Sequence, residues 1–277
     1  MYVMTSDEFV KRLYQALNSK TMYILGCFGA PMTDRNKERY TNNYPENGKP
    51  IDVVKGRDAY GKPIIVKERT KSGEARRQKI LAASVDTFGF DCVCLGKGCL
   101  WGWSGDINRP YGGAGYACNG VPDVSANGMI QKICYDVSTD FSTIVPGEVV
   151  WMDGHVGYYV GDGAVIECTS NWESKVLKSN VGNLGFKTGH WRTWTKHGKL
   201  KVIDYSATAS TPVAKPVIQE TGDIGKRTYK VKKGDTLTKI AKEFNTTVER
   251  IVADNEKSHK SLATNPNLIY PNWVLKV

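Results

Sequence analysis

A segment without aromatic residues divides this chain of 277 residues into two unequal parts. Residues 206–227 contain two prolines and many small side chains, a composition typical of a linker. The part before it is rich in Trp, Gly and Cys, whereas the part after it contains no Cys. We therefore expect two independent domains, residues 1–205 and residues 228–277.

Charge and hydropathy limit the partners of the chain. Apolar residues make up 40% of the sequence, which is enough to bury a core, and the formal net charge of +10 favours a polyanionic partner. No apolar run approaches the ~18 residues of a membrane span, and Asp7, Glu8 and Lys11 stand where a signal peptide would be apolar. We expect a soluble protein made in the cytoplasm without a signal peptide, with no membrane partner. The basic residues are not organised with stacking aromatics, so we expect no nucleic-acid partner.

The seven cysteines do not have the spacing of a disulfide scaffold or a structural zinc site. An odd number of cysteines in a chain without an export signal predicts reduced thiols. The series Cys92, Cys94 and Cys99 lacks the paired Cys-x-x-Cys motif of structural zinc. We expect no metal and no cofactor.

Hydrophobic periodicity predicts an α+β fold. Apolar residues recur at helical spacing over residues 6–18, and a second helix is expected near residues 74–84. Residues 51–68 have the pattern of a β-hairpin, and the apolar segment that starts at Cys92 is typical of a buried helix. From Pro146 onward, short β-rich runs separated by Gly-Asp-Gly and Asp-Gly predict a meander. Helices first and strands afterwards are the order of an α+β protein rather than of alternating βαβ units.

Three residues could perform cysteine catalysis. Such a site needs a thiolate, a histidine that exchanges the proton, and a polar group that orients the imidazole. Cys92 is expected at the start of a helix, where the helix dipole lowers the pKa of a thiol. His155 begins one predicted strand, and Glu167 lies twelve residues later on the next strand. A hairpin between these strands would bring the imidazole and the carboxylate together.

The order of these residues resembles the NlpC family of papain-like cell-wall peptidases. The family pattern runs Tyr-x-x-Gly-Gly, Asp-Cys-Ser-Gly-Leu, Pro-Gly-Asp and Gly-His-Val-Gly-Ile-Tyr-x-Gly. This sequence has, in the same order, Tyr-Ile-Leu-Gly-Cys from Tyr23, Asp-Cys-Val-Cys-Leu from Asp91, Pro-Gly-Glu from Pro146 and Gly-His-Val-Gly-Tyr-Tyr-Val-Gly from Gly154. The resemblance implies a papain-like catalytic domain with Cys92 as the nucleophile and His155 as the base.

The resemblance also indicates further site residues and one departure. Tyr23 matches the tyrosine that lines the family site, and Glu167 stands at the third position as in the related CHAP enzymes, where a nearby Asn also serves. Asn171 is therefore an alternative to Glu167 in the third role, and Cys94 is an alternative nucleophile. Residues 31–90 form an insertion where the family has far fewer residues, and the sequence predicts no function for it.

The C-terminal part resembles a LysM module. Its sequence predicts the order strand, helix, helix, strand, with Asp235 capping the first helix and Thr246 and Glu249 forming a capping box for the second. LysM modules bind glycans that contain N-acetylglucosamine, in a groove between two loops. By this resemblance the glycan-binding residues are Gly234, Asp235, Thr236, Leu237, Leu268, Ile269 and Tyr270.

Together, the two resemblances imply peptidoglycan as the substrate. A thiol acyl-transfer domain tethered to a wall-glycan module would cleave an amide of the stem peptide, and the family resemblance indicates the bond between γ-D-glutamate and the diamino acid. The alternative bond is that of an N-acetylmuramoyl-L-alanine amidase. Without a signal peptide, a phage endolysin released by a holin and acting at the bacterial cell wall fits best. The alternative outside enzymes is a wall-binding phage structural protein with an inactive peptidase-like domain.

Overall fold

A computed structural model describes residues 4–206, 228–232, 235–244, 246, 248–256, 258–259, 262 and 269–277, without the side chains at 242 and 249. The chain separates into two compact units, Met1–Pro216 and Val217–Val277. The predicted linker, residues 206–227, lies outside the described residues except for Ser206. Within the described ranges no helix is both long and apolar enough to cross a membrane.

The first unit combines helices with several sheets, as the predicted α+β class requires. Its helices and strands, in chain order, are β1 (Met4–Thr5), α1 (Ser6–Leu17), β2 (Thr21–Tyr23), β3 (Phe28–Pro31), α2 (Asp34–Thr41), β4 (Ile51–Arg57), β5 (Pro63–Glu68), α3 (Lys71–Ala82), β6 (Phe88–Phe90), α4 (Cys92–Leu100), α5 (Ala126–Gly128), β7 (Cys134–Ser138), β8 (Val149–Met152), β9 (His155–Gly161), β10 (Ala164–Cys168), β11 (Val176–Val181), β12 (Trp191–Arg192), β13 (Lys196–Leu200) and β14 (Ile203–Asp204). The first helix, the hairpin β4–β5 and the buried helix after Asp91 agree with the predictions.

Helix α1 forms because its start is capped and one face is apolar. The Thr5 side chain accepts a hydrogen bond from the amide of Glu8, whose carboxylate accepts one from the amide of Thr5. Phe9, Leu13 and Ala16 recur every three to four residues and are fully buried. The helix therefore packs this face on the core, where the Phe9 ring meets Tyr158 edge-on at 5.5 Å.

A seven-stranded sheet with the order β12-β11-β10-β9-β8-β13-β7 forms the framework of the unit. Strands β8 to β11 pair antiparallel with their neighbours in sequence, as the predicted meander requires. Helix α4 packs on β9 because Gly96 leaves room for the Tyr158 ring, where an added Cβ would lie 2.2 Å from ring atoms. The Tyr158 hydroxyl donates a hydrogen bond to the carbonyl of Val93 at 3.2 Å.

A smaller sheet, β2-β6-β3, leads the chain into α4. Strands β2 and β6 are parallel, and their register pairs Tyr23 with Phe90. Since Cys92 follows Phe90 by two residues, this pairing places Tyr23 beside the start of α4. The predicted insertion, residues 31–90, contributes α2, the hairpin β4–β5 and α3, and it ends in β6.

The second unit has the strand-helix-helix-strand order predicted from its sequence. Its elements are β15 (Thr228–Lys230), α6 (Leu237–Glu243), α7 (Val248–Asn255) and β16 (Val274–Lys276), and β15 pairs antiparallel with β16. The predicted cap was wrong, because the Thr236 hydroxyl accepts from the amide of Lys239, whereas the Asp235 carboxylate accepts from Tyr229 Oη and the Lys232 amide. Asp235 therefore fixes the turn before the helix. The Glu249 side chain of the predicted capping box lies outside the described residues.

Candidate functional site

Cys92 is the first residue of α4, and Asp91 caps this helix. The Asp91 carboxylate accepts one hydrogen bond from the amide of Cys94 at 2.7 Å and another from the amide of Gly26 at 2.8 Å. One side chain therefore fixes both the start of the helix and the turn after β2. The Cys92 side chain faces the core of the unit, and the residue is only 8% exposed.

His155 and Glu167 meet across the hairpin β9–β10, as predicted. The distance from His155 Nε2 to Glu167 Oε2 is 2.7 Å. Trp194 stacks on the imidazole, with ring centroids 5.6 Å apart and an interplanar angle of 11°. The carboxylate and the indole thus fix the plane of the ring, and the nitrogen left to exchange a proton with another group is Nδ1.

Two further side chains hold Glu167, which is fully buried. Arg192 Nε lies 3.0 Å from Oε1 and 2.9 Å from Oε2, and the Ser179 hydroxyl donates to Oε1. Burial alone would raise the pKa of the Glu167 carboxyl, but the hydrogen bond with His155 and the charges of His155 and Arg192 outweigh it and hold the pKa below its usual value. Glu167 is therefore a buried carboxylate that stays ionised.

The sulfur of Cys92 lies next to the strand that carries His155. The amides of Val156, which directly follows His155, of Val93 and of Cys92 itself all act to lower the pKa of the Cys92 thiol. Cys92 thus lies beside β9, the strand that begins with His155, and the His155 imidazole contacts the buried Glu167 carboxylate. These are the three residue types that thiol acyl transfer requires.

The acidity of the Cys92 thiol differs from the sequence-based expectation. Burial, together with the negative charge of Asp91, raises the pKa of Cys92 to about 11, although the three amides act in the opposite direction. The prediction that the helix start lowers this pKa was therefore wrong in its net result, since burial and the charge of Asp91 outweigh the amides around the sulfur. The resting thiol is neutral, and it becomes a nucleophile when its proton passes to a base.

The structure also places the other residues predicted for this site. Tyr23 lies beside Cys92, and burial raises the pKa of its phenol, as the charge of a Cys92 thiolate also does. The Cys94 thiol is buried beside Asp91, and burial raises its pKa well above the usual value. Asn171 is exposed in the loop after β10, where its amide donates to Thr169 Oγ1. The contact with His155 is therefore made by Glu167.

Arg192, Ser179 and Trp194 were not predicted as site residues. Arg192 and Trp194 come from a tryptophan-rich segment that the sequence predicts only as β-structure. The arginine also donates from Nη2 to Thr169 Oγ1, and its guanidinium lies 4.3 Å from the centroid of Trp172. A basic residue between two tryptophans, Trp191 and Trp194, was the available signal, but it does not identify the carboxylate that is bound.

The predicted glycan-binding residues of the second unit have different environments. Gly234 and Leu268 lie outside the described residues. Leu237 is 4% exposed and belongs to the core, so its predicted place in a binding groove was wrong for the side chain. Ile269 packs against the same core, whereas Tyr270 is 49% exposed.

Aromatic side chains cluster beside Tyr270. Its ring lies 5.4 Å from that of Trp273, and Trp273 stacks on His259 at 4.0 Å with an interplanar angle of 14°. His259 and Trp273 were not among the predicted binding residues. The exposed ring of Tyr270 and its aromatic neighbours form a surface of the kind that packs on sugar rings.

Comparison with known families identifies the second unit. Residues 229–277 match the LysM domain family, which confirms the resemblance found in the sequence. LysM domains bind peptidoglycan through N-acetylglucosamine glycans, and this domain therefore implies peptidoglycan binding, which is consistent with association with the cell wall. No curated protein was found to match the chain.

Proposed function

We propose, from the LysM domain as premise, that this chain is a peptidoglycan hydrolase whose first domain, residues 1–205, cleaves an amide of the stem peptide. The observation that carries the proposal is the contact of His155 with Glu167 across the hairpin β9–β10, beside the start of α4 where Cys92 lies. A papain-like fold of this domain is part of the same proposal. The tether to a LysM domain would keep the thiol near its substrate on the wall.

The proposed reaction begins with transfer of the Cys92 thiol proton to His155 Nδ1. The sulfur then attacks the amide carbon, and the developing imidazolium is stabilised by the ionised Glu167. The C–N bond breaks as His155 returns the proton to the leaving amine, and a thioester remains on Cys92. Water, giving its proton to His155, hydrolyses the thioester to a carboxylic acid and restores the thiol.

The bond that we propose is the one between γ-D-glutamate and the diamino acid, as in the NlpC family. An N-acetylmuramoyl-L-alanine amidase is the alternative enzyme, because CHAP-like sites with the same residue types cleave either bond. We propose further that the protein is an endolysin of phage origin, made in the host cytoplasm and released to the wall by a holin. The positive charge of the chain suits an anionic wall.

A wall-binding protein without catalysis is the second candidate function. The raised pKa of Cys92, about 11, favours it, because a buried neutral thiol is a poor nucleophile until a base accepts its proton. In this alternative the LysM domain carries the function and the first domain is a scaffold.

Digestion of purified cell walls tests the proposal. The full chain should release fragments whose new amine termini, identified by mass spectrometry, belong to the diamino acid, whereas an amidase would free the amine of L-alanine. Cys92→Ala should release none, because no other group supplies the thioester, while Cys94→Ala should keep most of the activity. If Cys92→Ala is active and Cys94→Ala is inactive, the nucleophile is Cys94 rather than Cys92. If the wild-type chain releases no fragments, the second candidate, a wall-binding protein without catalysis, is favoured.

A further inference from the structure

Helix α3 of the insertion places an arginine at the edge of the candidate site. The guanidinium carbon of Arg76 lies 4.8 Å from the ring centroid of Tyr23, and both residues are partly buried. Tyr23 in turn lies close enough to Cys92 for the thiolate charge to raise the pKa of its phenol, after burial has done so. Arg76 therefore contacts a tyrosine whose strand neighbour, Phe90, precedes the candidate nucleophile by two residues.

The insertion is fixed to the turn that follows Tyr23. Asn47 is fully buried, its side-chain oxygen accepts from the amide of Leu25 at 3.1 Å, and its side-chain nitrogen donates to the carbonyl of Leu25 at 2.9 Å. Asn47 belongs to the 3₁₀ turn Pro45–Asn47, and helix α3 packs closely on this turn, since an added Cβ at Gly73 would lie 2.1 Å from the carbonyl oxygen of Pro45. These contacts hold α3, and Arg76 with it, beside the site.

The charge of Arg76 is not neutralised by the protein as the charges of neighbouring arginines are. Arg69 and Arg77 both pair with Glu74, at 3.5 Å and 3.7 Å. Among the described residues, Arg76 forms no ion pair with a carboxylate. The Asp91 carboxylate near the site is already bonded to the amides of Gly26 and Cys94. A guanidinium stacked on an aromatic ring keeps its edge N–H groups for a planar anion.

We infer that Arg76 binds a carboxylate of the substrate next to the scissile bond. The inference rests on the proposed function, in which the bond cleaved is formed by the γ-carboxyl of D-glutamate. The α-carboxylate of that residue is then free, and it lies three carbon atoms from the scissile carbonyl carbon. Arg76 would bind this carboxylate while Cys92 attacks the γ-carbonyl. The insertion is thus a specificity element that distinguishes stem peptides with a free α-carboxylate from those in which it is a primary amide.

Two stem peptides that differ only in this group test the inference. The wild-type chain should cleave the carboxylate form with a kcat/KM about ten- to a hundred-fold above that of the amide form, as a charge-assisted contact is worth. Arg76→Gln should lose this preference by slowing only the carboxylate form. Lys79→Gln removes one exposed charge from the same helix and should keep the preference. Equal rates for the two peptides in the wild type, or an unchanged preference in Arg76→Gln, would overturn the inference.

A binding measurement separates this inference from the proposed function. In Cys92→Ala, calorimetric titration should show tighter binding of the carboxylate peptide, and adding Arg76→Gln should remove the difference. If the wild-type chain cleaves neither peptide, the proposed hydrolase is wrong, yet Arg76-dependent discrimination would still support the subsite. If Cys92→Ala binds both peptides equally, or binds neither, the subsite assignment is wrong whether or not hydrolysis occurs.

Discussion

Two pairs of histidine and glutamate lie at the same seven-stranded sheet, and they differ in how many nitrogens of the histidine the protein engages. In the first pair, His155 uses Nε2 to contact Glu167. In the second, His197 contacts Glu148 through Nδ1, and its Nε2 lies 3.0 Å from the carbonyl oxygen of Asp140. Both nitrogens of His197 are therefore engaged by the protein.

The difference shows what separates a structural histidine from one that can exchange protons. A carbonyl oxygen only accepts, so Nε2 of His197 carries a proton and the ring is held in one place. His197 thereby links the loop at Asp140 to strand β13. The side chains of His197 and Glu148 are each only 2% exposed. His155 has the same kind of partner on Nε2, but among the described residues no hydrogen bond engages its Nδ1, and the strand that it begins lies beside Cys92. Within the part of the chain that the structure describes, the two pairs are therefore distinguished by the nitrogen that does not contact glutamate, which the protein engages in His197 but not in His155.

The largest expected effect is the loss of activity when His155, but not His197, is replaced. In each variant the new side chain is an amide that keeps the contact with glutamate. His155→Gln should lower kcat/KM on wall fragments by about 10³-fold or more, because an amide donates to Glu167 but cannot accept and return a proton. His197→Asn should stay within a few-fold of wild-type activity and lose about 1–3 kcal/mol of unfolding free energy, since only the bond to Asp140 is removed. Activity assays and urea unfolding measure both. If the two variants lose activity equally, the comparison between the pairs fails.

A smaller effect is expected from Arg192→Gln, which acts through Glu167. Arg192 lowers the pKa of this carboxyl, so its removal raises that pKa, and activity should be lost at higher pH on acidification than in the wild type. At neutral pH we expect a loss of roughly ten-fold, with partial rescue by Arg192→Lys. The pH profile of kcat/KM is the decisive measurement. A lower rate with an unshifted acid limb would mean that Arg192 is only structural.

The smallest expected effect concerns stability against acid. Because the folded pKa of Glu167 is lowered, its contribution is fully present above the unfolded pKa of about 4.3 and is lost as the pH falls through the folded value. Arg192→Gln should therefore shift acid unfolding to higher pH, as followed by thermal melts between about pH 3 and pH 6. Lys55→Gln breaks an exposed ion pair with Glu68 and should change little. Equal shifts in both variants would show that burial of Glu167 does not matter.

The parts of the fold that were predicted correctly depend on local pattern. Helix α1 follows from its cap and the spacing of Phe9 and Leu13, and the hairpin β4–β5 from alternating residues around a turn. The meander from β8 to β11 joins sequence neighbours, so its pairing needed no long-range information. For the same reason the contact between His155 and Glu167 could be predicted from a single hairpin.

The contacts that were missed depend on distant segments or on competing effects. Arg192 stands in a strand of two residues that pairs parallel with β11, and nothing local indicates that pairing. The pKa of Cys92 is decided between a helix start and burial, and the depth of burial is known only from the fold. The cap of α6 was misassigned because Asp235 and Thr236 are adjacent and both are good capping residues.

The pairing of β1 with β14 has a consequence for how the first unit is made. Met4 and Thr5 pair with Ile203 and Asp204, about 200 residues further along the chain, and the two strands are parallel. A chain that emerges from the ribosome N-terminus first must keep β1 without its partner until β14 has left the exit tunnel. The unit therefore closes late during translation, after every residue of the candidate site has been synthesised.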